Sequence, residues 1–428
     1  MRAAGRRPEL ELSFLLGFGL FVLFARIPMG TEMLGFLSLL VVLGQRRRAP
    51  RPSVLALFFV VALGTSLLGA LLSRSSLDSY FVTTVCFALF AYAVLNTGSL
   101  DKNLRAAGIG AMSGLLLTFI IALFELATGF KILPMRNPDA NTAARIIEDR
   151  FVVASIFTNF NDFCIAMALL ATLLLATLAF GRGLRPGVKL AMWSSVVCIG
   201  GLIAYIGSRG ALGALMLAAF LLAVMLVRFT YPRVLSTRVV GALLVVLGGA
   251  FYVVWNSPYL QDNSTDTRGV IVERALDMIT ADPFRFLLGY GSSATWDAAA
   301  QLAYPGALMS PHNVFLEYLI AYGVLGPLLL GAIVIVVAWR GFIKQDVATV
   351  ALSLAAVVTT VLLPVYGAVP SGFIDYGYSY VFPVLAYGCI RLKGSAPRPA
   401  TADEVGGDHD THASDDGQAA DKHDAGHH

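Results

Sequence analysis

Apolar positions along this chain do not alternate with polar ones at helical or strand intervals. They run on for about 17 to 25 residues at a time, break at short polar connections, and resume, and each run is long enough to cross a hydrocarbon core of about 30 Å as a helix. The pattern predicts spans near residues 9–25, 28–44, 52–72, 78–96, 106–128, 160–180, 189–207, 210–227, 238–255, 313–339, 347–364 and 376–391. The expected fold class is therefore all-α, a polytopic transmembrane helical bundle of about 12 spans. The first run lacks a small-residue cleavage site and is followed at once by a second, so it reads as a retained span rather than a signal peptide.

Composition agrees with the pattern. Of 428 residues, 57% are hydrophobic and 14% charged, and the mean hydropathy is +0.74, which leaves no room for a large soluble domain. The net charge of +4 says little, but its distribution is informative. Alternate connections hold Arg2, Arg6 and Arg7; Arg46, Arg47, Arg48 and Arg51; Lys102 and Arg105; Arg182, Arg185 and Lys189; Arg228, Arg233 and Arg238; Arg340 and Lys344; and Arg391 and Lys393. Twelve spans put all of these on one side, which the positive-inside rule assigns to the cytoplasm together with both termini.

The other side has short turns near Arg26 and Arg74, a middle loop at about 129–159, and a long loop at about 256–312 that should contain short helices. In that long loop Asp266 and Thr267 are placed to cap an amphipathic helix through Ile271, Ala275, Leu276 and Ile279, ended by Asp282-Pro283 and lying on the membrane surface. The division expected is a transmembrane domain over 1–393 and a disordered cytoplasmic tail over 394–428, where five histidines sit among Asp, Ala and Gly in a solvated segment. Cys86, Cys164, Cys198 and Cys389 fall in apolar runs without CxxC spacing, which points to neither a disulfide framework nor a zinc site. Nucleic-acid binding is not indicated.

Candidate chemistry concentrates on the loop-bearing side. His312 is the single histidine outside the tail and stands where the long loop re-enters the membrane; His312-Asn313 reads either as a helix cap or as the start of a reactive site. Arg209, in Gly207-Ser208-Arg209-Gly210, lies at a tight turn between two spans. At membrane depth an arginine costs about 2.5 to 3.5 kcal/mol unless it reaches water or a counter-charge. It either snorkels to the interface or meets an anionic head group, with glycines allowing close approach. Arg268 adds charge in the long loop or belongs to a solvated or lipid-headgroup-binding face, and Arg274 reads as a residue of such a face. Arg150 precedes Phe157-Thr158-Asn159-Phe160-Asn161-Asp162, whose Asn159, Asn161 and Asp162 either cap the next helix or line a polar vestibule for sugar hydroxyls. Glu125 and Glu317 read as partners for an arginine or a histidine, or as buried structural pairs.

No carboxylate cluster, P-loop or Ser-His-Asp signature accompanies these residues, so no metal or other cofactor is expected. Arginine forks neutralise a pyrophosphate, and a neutral histidine, with an unperturbed pKa of about 6.5, accepts a proton from a sugar hydroxyl.

The order of these pieces resembles the O-antigen ligase and O-antigen polymerase family of bacterial envelope enzymes. The motifs that carry the resemblance are Phe157 to Asp162, Ser208-Arg209-Gly210, Arg268 before the loop helix, and Pro283 with Leu288-Gly289-Tyr290-Gly291. They continue with His312-Asn313-Val314-Phe315-Leu316 and Gly323-Val324-Leu325-Gly326. The resemblance implies a transmembrane catalytic domain in the bacterial inner membrane. It implies inverting, metal-independent transfer of a glycan from undecaprenyl pyrophosphate to a sugar hydroxyl of a glycan or lipid-linked acceptor on the extracytoplasmic face. Arg209 and Arg268 match the family's phosphate-contacting arginines, Arg150 matches more loosely, and His312 matches its catalytic histidine; Asn159, Asn161, Asn313 and Glu317 are the candidate sugar-binding or supporting residues. The competing function class is a transporter or flippase of lipid-linked oligosaccharides, against which the one-sided loops argue. A structural scaffold is the third.

Overall fold

The computed structural model describes residues 12–45, 49–73, 79–130, 155–157, 159–181, 183–231, 239, 242, 249, 263–291, 293–306, 313–344, 351–369, 374 and 377–394. All belong to one compact unit, Met1–Gly394; the tail expected to be disordered lies outside the described residues. The described elements are all helical, with no strand among them.

Five helices come first: α1 (Ser13–Phe24), α2 (Gly30–Gly44), α3 (Val54–Ser73), α4 (Ser79–Asn96) and α5 (Leu100–Thr128). Three more follow, α6 (Phe160–Phe180), α7 (Pro186–Ile206) and α8 (Arg209–Thr230). The segment predicted as a long outer loop contains α9 (Asn263–Thr280), α10 (Pro283–Leu288) and α11 (Ser293–Ala303). The chain then forms α12 (Val314–Tyr322), α13 (Leu325–Ala338, continued by a π-turn over Trp339–Ile343), α14 (Ala351–Val361), the single turn α15 (Leu363–Tyr366) and α16 (Tyr378–Gly394). Five segments, α5, α6, α7, α8 and α13 with its π-turn, are long and apolar enough to cross a membrane, and five further apolar helices are shorter over their described residues. Of the predicted twelve spans, the one at 238–255 falls almost wholly outside the described residues.

Burial ranks the helices. In its most apolar window α6 is 72% buried and α7 only 17%, so α6 is the central post and α7 turns most of its side chains outward. Helix α6 packs against α7, α8 and α14, while α1 packs between α2 and α5. Small residues make the last contact close: a Cβ on Gly17 would lie 2.5 Å from the Ala106 carbonyl oxygen, one on Gly114 2.6 Å from that of Phe21, and one on Gly110 would collide with the carbonyl of Gly17. This is the small-residue packing by which apolar helices associate when burial from water gives no advantage.

Several buried polar groups close on each other, which offsets the cost of burying them away from water. At one end of the bundle Ser13 Oγ donates to Asn103 Oδ1 at 2.6 Å, and Asn103 Nδ2 donates to the carbonyls of Ala93 and Thr97, each at 3.1 Å. Near α12, Tyr318 Oη donates to Ser379 Oγ at 2.8 Å, and Tyr322 shares hydrogen bonds with Thr84 at 2.8 Å and Tyr380 at 2.5 Å. These hydroxyls pin α12 to α4 and α16.

Three expectations change. The span predicted at 313–339 is broken at Gly323, whose φ is +66° and whose missing side chain admits the backbone of Leu287 and Leu288. There Tyr290 N donates to Ile320 O at 2.7 Å, Gly291 N to Ala321 O at 3.2 Å and Val324 N to Phe286 O at 2.9 Å. Carbonyls that a continuous helix would satisfy internally are met instead by the incoming loop. Second, α9 begins at Asn263, so Asp266 and Thr267 lie within it rather than capping it, and Arg268 is inside the helix, not before it. Third, the amphipathic helix ends at Thr280, just before Asp282-Pro283 as expected, but that pair also starts a further helix: Asp282 Oδ1 accepts from Phe284 N at 2.9 Å and Arg285 N at 3.3 Å, and Pro283 occupies the first turn, where its lacking N–H costs nothing.

Because Gly110 meets backbone and Gly213 has nothing within 4 Å of its would-be Cβ, Gly110→Ala should destabilise by about 1–3 kcal/mol and lower the thermal unfolding midpoint, whereas Gly213→Ala should leave it unchanged or raised. Equal midpoints for the two variants in detergent would contradict the α1–α5 contact.

Candidate functional site

The described Lys and Arg residues separate by end. Arg51, Lys102, Arg105, Arg185, Lys189, Arg228, Arg340, Lys344 and Arg391 flank the helix termini at the Ser13–Asn103 end. The opposite end carries Arg26 and Arg209, with Arg274 and Arg285 on the added helices.

At that opposite end the chain enters α6 through a tightly held turn. Ser155 has φ +51°, which a side-chain-bearing residue adopts only when its surroundings enforce it. Glu125, fully buried, accepts from Ser155 N through Oε2 at 3.0 Å, and Ser155 Oγ donates to Thr118 O at 3.0 Å. Arg26, itself at φ +54° in the α1–α2 turn, places its guanidinium 5.4 Å from the centroid of the Phe157 ring. Asn159 then caps α6, its Oδ1 accepting from Asn161 N at 2.7 Å.

Asn161 joins this turn to the next. Its Oδ1 accepts from Ser208 Oγ at 3.0 Å, tying the α6 entry to the α7–α8 turn. That turn depends on Gly207, at φ +80°, and begins α8 with Arg209, whose side chain is exposed. Directly behind it Gly210 leaves space for Val369, whose Cγ2 would be 2.5 Å from a Cβ there.

The residues after α15 carry the connection onward. Gly367 admits the Val314 side chain, and Ile374 N donates to Glu317 Oε2 at 2.8 Å. Asn313 caps α12, its Oδ1 accepting from Phe315 N at 3.0 Å and Leu316 N at 3.2 Å. Glu317, 4% exposed, thus serves the neighbouring backbone.

Helix α9 reaches the same place from outside the bundle. Ala275 and Ile279 of α9, Tyr290, Trp296 and Ala300 form one cluster with Leu316 and Ile320 of α12, so the helix containing Arg268 docks on the helix that Asn313 caps. Tyr290 and Trp296 meet edge to face at 5.1 Å, and the Arg285 guanidinium lies 5.0 Å from the Tyr290 centroid. Burial pushes the Tyr290 phenol up from its ordinary value, with Arg285 opposing the shift, which keeps it neutral in this setting.

The structure therefore ties Asn159 and Asn161 to the turn that begins with Arg209, and places Asn313 and Glu317 on α12, on which the helix of Arg268 docks. The side chain of Arg268 and all of Arg150 and His312 lie outside the described residues. Residue-by-residue reading missed Arg26, noted there only as a loop marker, and the strap residues Val369 and Ile374. An arginine in a very short turn between two apolar runs was the one available signal; nothing local marks Val369 or Ile374.

Removing the α6 cap should cost about 0.5–2 kcal/mol, so Asn159→Ala should lower the unfolding midpoint while Asn159→Ser retains most of it; identical midpoints for both would remove the capping role.

No curated protein matches the chain significantly. Residues 194–331, from within α7 to within α13 and including Arg209, Arg268, His312, Asn313 and Glu317, match the family model described as O-antigen ligase, which supports over that stretch the family resemblance drawn from the motifs.

Proposed function

We propose that this membrane protein transfers a glycan from undecaprenyl pyrophosphate to the hydroxyl of a glycan or lipid-linked acceptor, with inversion, as an O-antigen ligase or polymerase. The observation carrying this reading is the assembly, at one end of the bundle, of the Ser208–Arg209 turn, the Asn313-capped end of α12 and the docked α9, most of it within the stretch that matches O-antigen ligase. The excess of Lys and Arg at the other end supports an extracytoplasmic location for the site. Twelve spans, both termini in the cytoplasm, a bacterial inner-membrane location and a catalytic domain over 1–393 followed by a cytoplasmic tail complete the proposal.

In the mechanism, an acceptor hydroxyl oxygen attacks the anomeric carbon while the bond from that carbon to the phosphate oxygen breaks. The pyrophosphate leaves with the electron pair, and Arg209 and Arg268 balance the growing charge, assisted by Arg150. His312 takes the hydroxyl proton. Asn159, Asn161, Asn313 and Glu317 keep the surrounding helix ends in register, and the Asn161–Ser208 link holds the turn from which Arg209 starts α8. No step requires a metal or another cofactor.

Purified protein in liposomes with lipid-pyrophosphate glycan and acceptor tests this. His312→Ala should lower the transfer rate by about 10²- to 10⁴-fold, the usual contribution of a positioned proton acceptor. Arg209→Lys should impair transfer despite keeping the charge, because it loses the two-pronged contact. Wild-type transfer by a well-folded His312→Ala protein would dismiss the base. Movement of lipid-linked sugar across the vesicle with no new glycosidic bond would favour a flippase.

A further inference from the structure

Helix α10 is six residues long, and none of them is buried. It exposes Phe284 (44%), Phe286 (39%) and Leu287 (51%), with Phe284 and Leu287 one turn apart on the same face. Such a surface facing water would be costly, at about 25 cal/mol for each Å² of apolar area.

Its neighbours set its level. On one flank Val324 N donates to Phe286 O at 2.9 Å, which places α10 beside the first turn of α13. That turn exposes Leu325 and Leu328, and with its π-turn it opens a 19-residue apolar segment long enough to cross a membrane. On the other flank Gly291 lies against Gly69 of α3, about one turn from that helix's end, where Leu67, Leu68 and Leu71 are exposed. The apolar face of α10 thus lies next to the ends of two apolar helices whose nearby leucines are also exposed. The polar groups match a boundary position: Asp282 is half-exposed, and Arg285, 21% exposed, lies 4.0 Å from it and over the Tyr290 ring.

We infer that α10 is a lipid-binding foot, whose Phe284, Phe286 and Leu287 enter the outer-leaflet acyl region just below the head groups while Asp282 and Arg285 stay at head-group level. The foot holds the α9–α11 assembly at a set depth, because α10 is hydrogen-bonded into the Gly323 break and α9 packs against it. This inference does not depend on the proposed transferase activity.

The unmodified full-length chain, reconstituted in liposomes containing a phospholipid with a photoactivatable diazirine high on one acyl chain, provides the test. After irradiation, peptide mass spectrometry should find lipid adducts on Phe284, Phe286 or Leu287 in yields comparable to those on Leu325 and Leu328. Labelled Leu325 and Leu328 with an unlabelled α10 would overturn the inference. Labelling of α10 that appears only when vesicles are diluted to one chain each would also overturn it, by giving the face to a second copy of the protein.

Discussion

Inside a bilayer no water is available to satisfy a peptide group, so a spanning helix can be interrupted only where another segment supplies hydrogen bonds to the freed backbone. The break at Gly323 meets this constraint through the 286–291 segment, which both donates to Ile320 and Ala321 and accepts from Val324. The placement of α9, α10 and α12 follows from that exchange. It shortens α12 to nine residues, brings the turn after α10 against α3 at Gly69, and docks α9 on α12 through Leu316 and Ile320.

The same economy governs the polar end of the bundle. Glu125 and Glu317 are buried carboxylates that accept from backbone amides of Ser155 and Ile374, and Asn159 and Asn313 cap helices. These side chains hold helix ends in place around the proposed site. Asn161 differs: its oxygen reaches across to Ser208, so it couples two re-entry points, and Arg209 begins the very next helix. The rigidity lies in the amides and carboxylates, while Arg209 stands exposed at the start of α8.

Much of the architecture was legible in the chain. Apolar run length alone located α6, predicted at 160–180 and observed at Phe160–Phe180, because the bilayer sets a minimum length for a satisfied helix. Charge distribution anticipated the segregation of Arg105, Lys189 and Lys344 from Arg26 and Arg209. Motif order anticipated the stretch matched by O-antigen ligase.

The amino-acid sequence by itself determined the all-helical class, the apolar segments and the identity of the candidate reactive residues, since hydropathy and residue chemistry are local properties. Only the tertiary structure decided that the predicted 313–339 span breaks, that Asp282 caps a second helix just after the first one ends, and that Val369 and Ile374 link Gly210 to Glu317. Those outcomes depend on which distant backbone group fills a hydrogen bond or a missing side chain, and no window of neighbouring residues contains that partner.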